Sequence, residues 1–314
     1  MNHVEEYRKM TDLHSRLPVF YQPWWLDTVC KKWDILLTQK DGQVTAVFPY
    51  NIEKVGFFQI IRNPLLTPYL GPYFIDNGEK SPFKKLNQEE QLFEELWQQF
   101  PTYDSCNIDT HPDFKNFLLL RHKGFSNTNR ITYRIDLHRD ETAIFNEIQS
   151  SHRKRIQQAS QLYTIQEGTT LIPSLESLHR QTFSRKGKGY IYPKGFLHKI
   201  VTNSYANAKG TLLAAIDADG AVHGTIFTAY DNEASYLLLS AADVAKSHKG
   251  VVCLLIWEAI KTARKKGLRY FDFEGSMDAG IEPFFRRFGG ERTFFTSFEH
   301  QKSRLWKLKR TLLG

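Results

Sequence analysis

The feature that most constrains this chain is an order of elements that occurs twice. The stretch "WDILLTQKDGQVTAVFPY" (33–50) has two apolar runs flanking Asp41-Gly42. That dipeptide suits a tight hairpin, whose central positions need positive φ. "GTLLAAIDADGAVHGTIFTAY" (210–230) repeats the pattern around Asp219-Gly220, and Asp41/Asp219, Gly42/Gly220 and Val44/Val222 then coincide. The segments downstream of each hairpin repeat as well. The first is followed by "EEQLFEELWQQF", with Leu92, Phe93, Leu96 and Trp97 at helical spacing, then by "YDSCNID" and "DFKNFLLLRHKGF". The second is followed by "GVVCLLIWEAIKTARKKG", with Leu255, Ala259, Ile260 and Ala263 on one helical face, then by "LRYFDFEG" and "IEPFFRRFGGE". Hairpin, helix, strand, short helix and glycine therefore recur in one order, which points to duplication.

This reading predicts an α/β chain whose two halves are each an α+β mixed sheet with flanking helices. The boundary is expected where "ITYRIDLHRDETAIFNEIQ" runs from a strand into an acid-started helix, giving domains 1–138 and 139–314. No low-complexity linker separates the halves, so tight packing is expected. Composition supports a folded chain: 41% of its 314 residues are hydrophobic and 14% aromatic. No apolar run reaches the roughly 18 residues of a membrane span, and the start lacks the pattern of a signal peptide. Cys30, Cys106 and Cys253 are scattered, without a CxxC or Cys/His cluster. A reduced, cytoplasmic, metal-free protein with no tightly bound cofactor is the simplest reading. The net charge of +8 points to anionic partners.

Four clusters carry candidate chemistry. In "RYFDFEG" (269–275), alternation places Tyr270, Asp272 and Glu274 on one strand face and Phe271 and Phe273 on the other. Acids at a strand's carboxyl end can orient an amine or take its proton, so Asp272 and Glu274 are the catalytic candidates; helix capping or pairing with an arginine is the structural alternative. Downstream, Ile281, Phe284, Phe285 and Phe288 form a packing stripe, Pro283 fits a first helical turn and Gly289 a left-handed cap. Arg286 and Arg287 lie off that stripe and are suited to phosphate or carboxylate. The basic run His152, Arg153, Lys154 and Arg155 is either a solvated helix face or a binding surface. In "RQTFSRKGKGYIYPKGF" (180–196), Arg185, Lys186 and Lys188 can hold phosphates while Tyr190 and Tyr192 stack on a ring. Tyr236 is added as a substrate contact. The tail "QKSRLWKLKRTLLG" interleaves basic residues with Leu305, Trp306 and Leu308. It suits either docking on its own protein or peripheral contact with an anionic membrane surface.

Taken in order, these segments resemble the FemAB-like and CelD-like acyltransferases. "YQPWWLDTV", "LLTPYLGPYF", "SSHRKRIQQASQ", "HRQTFSRKGKG" and "YFDFEG…FFRRFGG" are similar to successive family segments, from about residue 20 to 298. The resemblance implies two tandem GNAT-like domains. It also implies transfer of an acyl or aminoacyl group, from aminoacyl-tRNA or acyl-CoA, to an amine on an anionic cell-envelope precursor. By the same resemblance, Arg185 is a substrate contact of the second domain, Tyr69 and Asp76 face the cleft of the first, and Gly250 belongs to a pyrophosphate loop. Three departures stand out. Phe285 replaces a family lysine. There is no room for the helical hairpin of some tRNA-using members. In "SHKGVV" (247–252) Ser247 and Val252 replace two of the loop's usual residues. A non-catalytic basic protein that binds RNA or an anionic precursor on the same scaffold is the alternative.

Overall fold

The computed structural model describes residues 3–275 and 277–313. Its helices are α1 (His3–Arg8), α2 (Thr11–His14), α3 (Pro23–Val29), α4 (Pro82–Gln98), α5 (Leu118–His122), α6 (Glu141–Glu147), α7 (Ser150–Ser160), α8 (Ile172–Arg185), α9 (Phe196–Ala206), α10 (Val251–Lys265), α11 (Glu282–Arg286) and α12 (Arg304–Leu313). The strands are β1 (Trp33–Lys40), β2 (Gln43–Val55), β3 (Phe58–Arg62), β4 (Tyr73–Phe74), β5 (Ser105–Asp109), β6 (Ser126–Asp136), β7 (Thr164–Glu167), β8 (Gly210–Ile216), β9 (Val222–Tyr230), β10 (Ala234–Ala242), β11 (Tyr270–Asp272) and β12 (Glu291–Gln301). No helix among the described residues is long and apolar enough to cross a membrane.

The chain forms two compact units, residues 1–130 with 294–314, and residues 131–293. In the first, β1 and β2 form the hairpin expected at Asp41-Gly42, and both turn residues have positive φ. β3 then pairs antiparallel with β2, and β5 runs parallel to β3 after the α4 crossover. Residues 297–301 of β12 pair antiparallel with β5. Phe93 and Leu96 of α4 pack on Phe48, Tyr50, Cys106 and Phe298 in this core.

The second unit repeats the plan. β8 and β9 form the hairpin, β10 is antiparallel to β9, and β11 returns parallel to β10 after α10. The β6 residues 134–136 pair antiparallel with β11, and β7 covers the other edge on β8. Ala259, Ile260 and Ala263 of α10 lie in the core with Phe271, Phe273 and Phe288. Each repeat also carries its short helix, α5 or α11, followed by a glycine of positive φ, Gly124 or Gly289. The third strands, β3 and β10, are elements that the sequence pattern left unassigned.

These units differ from a division at 138/139. The division falls inside two strands: residues 134–136 of β6 pair with β11 in the second unit, and residues 297–301 of β12 pair with β5 in the first. Phe298 lies fully buried in the first unit's core, and the tail after it belongs there too.

Candidate functional site

In the second unit, β10 and β11 are paired only over Ala234–Tyr236 and Tyr270–Asp272. β11 then ends, whereas β10 continues to Ala242, paired only with β9 among the described residues. The β9–β10 register shifts between Leu237 and Leu239, the irregularity that bends a strand away from its neighbour. One edge of β10 is thus left open beyond Tyr236, at the carboxyl end of β11.

The chain leaves β11 through Phe273 and turns at Glu274 and Gly275, both left-handed, with φ of 57° and 71°. A left-handed glutamate is uncommon and carries backbone strain. Gly275 explains why the turn is held: a Cβ there would lie 1.8 Å from the carbonyl oxygen of Ile131. Only glycine permits that approach. The buried rings of Phe271 and Phe273 hold the other side of the segment, as alternation predicted.

Asp272 and Glu274 are two residues apart, but their environments differ. Asp272 is fully buried and satisfied. It accepts from Thr132 Oγ1 at 2.6 Å, from Arg134 Nε at 2.7 Å and from the Glu274 amide at 2.8 Å. It therefore ties β11 to β6 and positions the turn, rather than presenting a reactive oxygen. This corrects its assignment as a catalytic group. Glu274 Oε1 is buried, with no hydrogen-bond partner among the described residues. Burial, reinforced by the charge of Asp272, pushes its carboxyl well above the usual range.

An aromatic cluster stands beside Glu274. Tyr192 is pushed up to about 12, chiefly by burial, with smaller contributions from Tyr190 and Glu274. Its ring stacks on Phe196 at 5.8 Å and meets Phe183, Tyr190 and His179 edge-on. The Arg180 guanidinium lies 4.2 Å from the Tyr190 ring centre. The loop between α8 and α9 is thus anchored by its tyrosines, while Arg185, Lys186 and Lys188 stay exposed. His179 is buried, which holds it down at about 4.

The remaining expected site residues are scattered. Tyr236 is buried and donates its hydroxyl to Asp231 Oδ2 at 2.9 Å, so it closes the β9–β10 turn and is not a substrate surface. Tyr69 lies fully buried in the first unit among Phe20, His111 and Phe295, a core role in place of a cleft-facing one. Asp76 is exposed and accepts from the Gly78 amide, which makes it a turn residue. Arg286 is exposed, with its Nε 3.6 Å from Glu282; Arg287 is exposed as well, and its carbonyl accepts from Gln149. In the basic run, His152 is fully buried against Phe284 and Phe288, whereas Lys154 is exposed.

Gly250 has a packing explanation. A Cβ there would lie 2.3 Å from the Arg155 carbonyl oxygen, so α7 presses on the start of α10. The Gly250 amide donates to His248 Nδ1 at 3.0 Å, and the Val251 amide to the His248 carbonyl. These two amides of the helix start are therefore committed within the protein.

Thr132 and Arg134, which hold Asp272, were missed from sequence. Their signal is the alternation of polar residues in "ITYRID" (131–136), which marks a strand with one polar face.

Residues 148–286, inside the second unit, match the family model of an acetyltransferase (GNAT) domain. No curated protein matches the chain in sequence. Among solved structures, FemX aligns over 98% of this chain and 97% of its own, with a TM-score of 0.69 and 13% identity. The C-terminal domain of a putative lysylphosphatidylglycerol synthetase from Agrobacterium fabrum aligns over 99% and 97%, with a TM-score of 0.60 and 12% identity. A tandem GNAT protein from the clavulanic acid biosynthesis pathway aligns over 95% and 94%, with a TM-score of 0.51 and 11% identity. The chain therefore shares the fold of FemX and of the tandem GNAT protein, two GNAT-like units, and residues 148–286 of the second match an acetyltransferase (GNAT) domain.

Proposed function

We propose that this chain is an acyltransferase that acts on an amine at the open edge of β10, with Glu274 as its acid–base group. The observation that carries this reading is the state of Glu274. Its carboxyl oxygen is buried and unpartnered among the described residues, its backbone is left-handed, and its proton affinity is raised. Raised affinity makes the ionised form a stronger base. An attacking amine forms a C–N bond to the acyl carbon as the bond from that carbon to the donor oxygen breaks. The amine proton passes to Glu274 and from there to the departing oxygen. An outward-facing backbone N–H within Leu239–Ala241, on the stretch of β10 that β11 does not cover, would polarise the acyl carbonyl.

The donor that fits best is an aminoacyl ester of tRNA. Acyl-CoA fits less well, because α7 closes on Gly250 where GNAT domains receive a pyrophosphate. The exposed Arg185, Lys186 and Lys188, with Arg286 and Arg287, supply positive charge for a phosphate-bearing donor or acceptor. A cell-envelope acceptor is supported by the fold shared with FemX and with a domain named for lysylphosphatidylglycerol synthesis.

The deciding experiment supplies aminoacyl-tRNA or acyl-CoA with a nucleotide-linked muropeptide and reads the amide product by mass spectrometry. The reading expects product from aminoacyl-tRNA and none from Glu274→Gln. Full activity in that variant, or product from acyl-CoA alone, would overturn the assignment.

A further inference from the structure

Helix α12 is cationic on a short span, with Arg304, Lys307, Lys309 and Arg310 and no acid. Two contacts fix the face it turns inward. Trp306 packs on Phe58 with ring centres 5.1 Å apart, and Arg310 pairs with Glu299 at 2.6 Å. Residues along an α-helix are set about 100° apart. Leu305 and Leu308 therefore share a different face, with Lys309 between Leu305 and Trp306. These leucines are 63% and 58% exposed.

The apolar strip continues off the helix. Lys309 Nζ lies 5.6 Å from the Phe58 ring, on the leucine side of Trp306. Phe57 rests on Phe58 at 4.1 Å and is 78% exposed. Single exposed leucines are ordinary. Two on one helix face, with Arg304 and Lys309 on either side and the exposed Phe57 nearby, are not.

We infer that Leu305, Leu308 and Phe57, with Arg304 and Lys309, form a docking surface for an anionic lipid bilayer. The apolar side chains enter the boundary beneath the headgroups, while the long cationic side chains reach back to lipid phosphates. Charge complementarity selects the occupant, because each cation near an anionic leaflet adds attraction that salt weakens. The inference is independent of the acyl-transfer reading.

The test is co-sedimentation of the full chain with phosphatidylcholine vesicles and with phosphatidylcholine–phosphatidylglycerol vesicles. Binding should favour the anionic vesicles by about tenfold or more and weaken in high salt. Leu305→Glu with Leu308→Glu should abolish it, and Phe57→Ser should reduce it, with unchanged thermal unfolding in each case. Absence of binding to anionic vesicles, equal binding to both kinds, or wild-type binding by the double variant would overturn the proposal. Glu274→Gln should bind vesicles normally, and the double-leucine variant should keep transfer to a soluble acceptor, so the two readings can fail separately.

Discussion

The Glu274 amide donates to Asp272 Oδ1 at 2.8 Å, yet the two carboxyls sit in opposite surroundings. Asp272 is held by Thr132 and Arg134, while Glu274 Oε1 meets no partner among the described residues. One acid's hydrogen bonds hold the turn, and the other is left with a raised proton affinity. This division of roles gives the first predictions.

Asp272→Asn should be a stability variant. It removes the charge that Arg134 pairs with in a site where Asp272 is fully buried and Arg134 is 10% exposed. Breaking such a pair costs about 3–5 kcal/mol. Chemical denaturation should show a lowered midpoint, and Arg134→Met in the same chain should recover part of the loss.

Glu274→Gln should lose transfer without losing stability. The wild-type carboxyl binds its proton more tightly folded than unfolded, so its contribution is fully present below the ordinary glutamate value of 4.5. It is lost as pH rises toward the raised folded value. Over that window the wild type should lose stability relative to the variant. Denaturation midpoints of both proteins from pH 4 upward check the sign.

Gly275→Ala should act differently from Gly220→Ala. Both glycines have positive φ, but an added Cβ at Gly275 meets the Ile131 backbone at 1.8 Å, whereas at Gly220 nothing lies within 4 Å. The exposed site should cost about 1 kcal/mol and keep activity. The Gly275 variant should displace Glu274 and lose both transfer and more stability, read by product assay and thermal unfolding.

His152 and His179 give an acid-side prediction. Burial holds both at about 4, with Arg155 and Arg287 adding to the effect at His152. Their unfolded value is 6.5, so the stabilisation is present above that pH and falls away as pH drops toward 4. His179→Gln should flatten the decline in unfolding midpoint between those limits.

Much of this molecule was determined by the sequence. Turn dipeptides, helical stripes and a recurring order specified two α/β repeats, because hydrophobic period and turn chemistry are local properties. The same local logic placed Phe271 and Phe273 in the core, Pro283 in the first turn of α11 and the left-handed Gly289 after it. The features that the tertiary structure decided depend on distant partners. Asp272 and Glu274 are carboxylic acids two residues apart, and nothing local separates them; the separation comes from Thr132 and Arg134 on β6. Tyr69 and Tyr236 read as polar contacts, but the fold buries both rings. Gly250 reads as a phosphate-loop glycine, but the Arg155 backbone of α7 lies against it. Strand pairing is likewise non-local: residues 134–136 pair with β11 and residues 297–301 with β5, partners far away in sequence that only the folded backbone brings together.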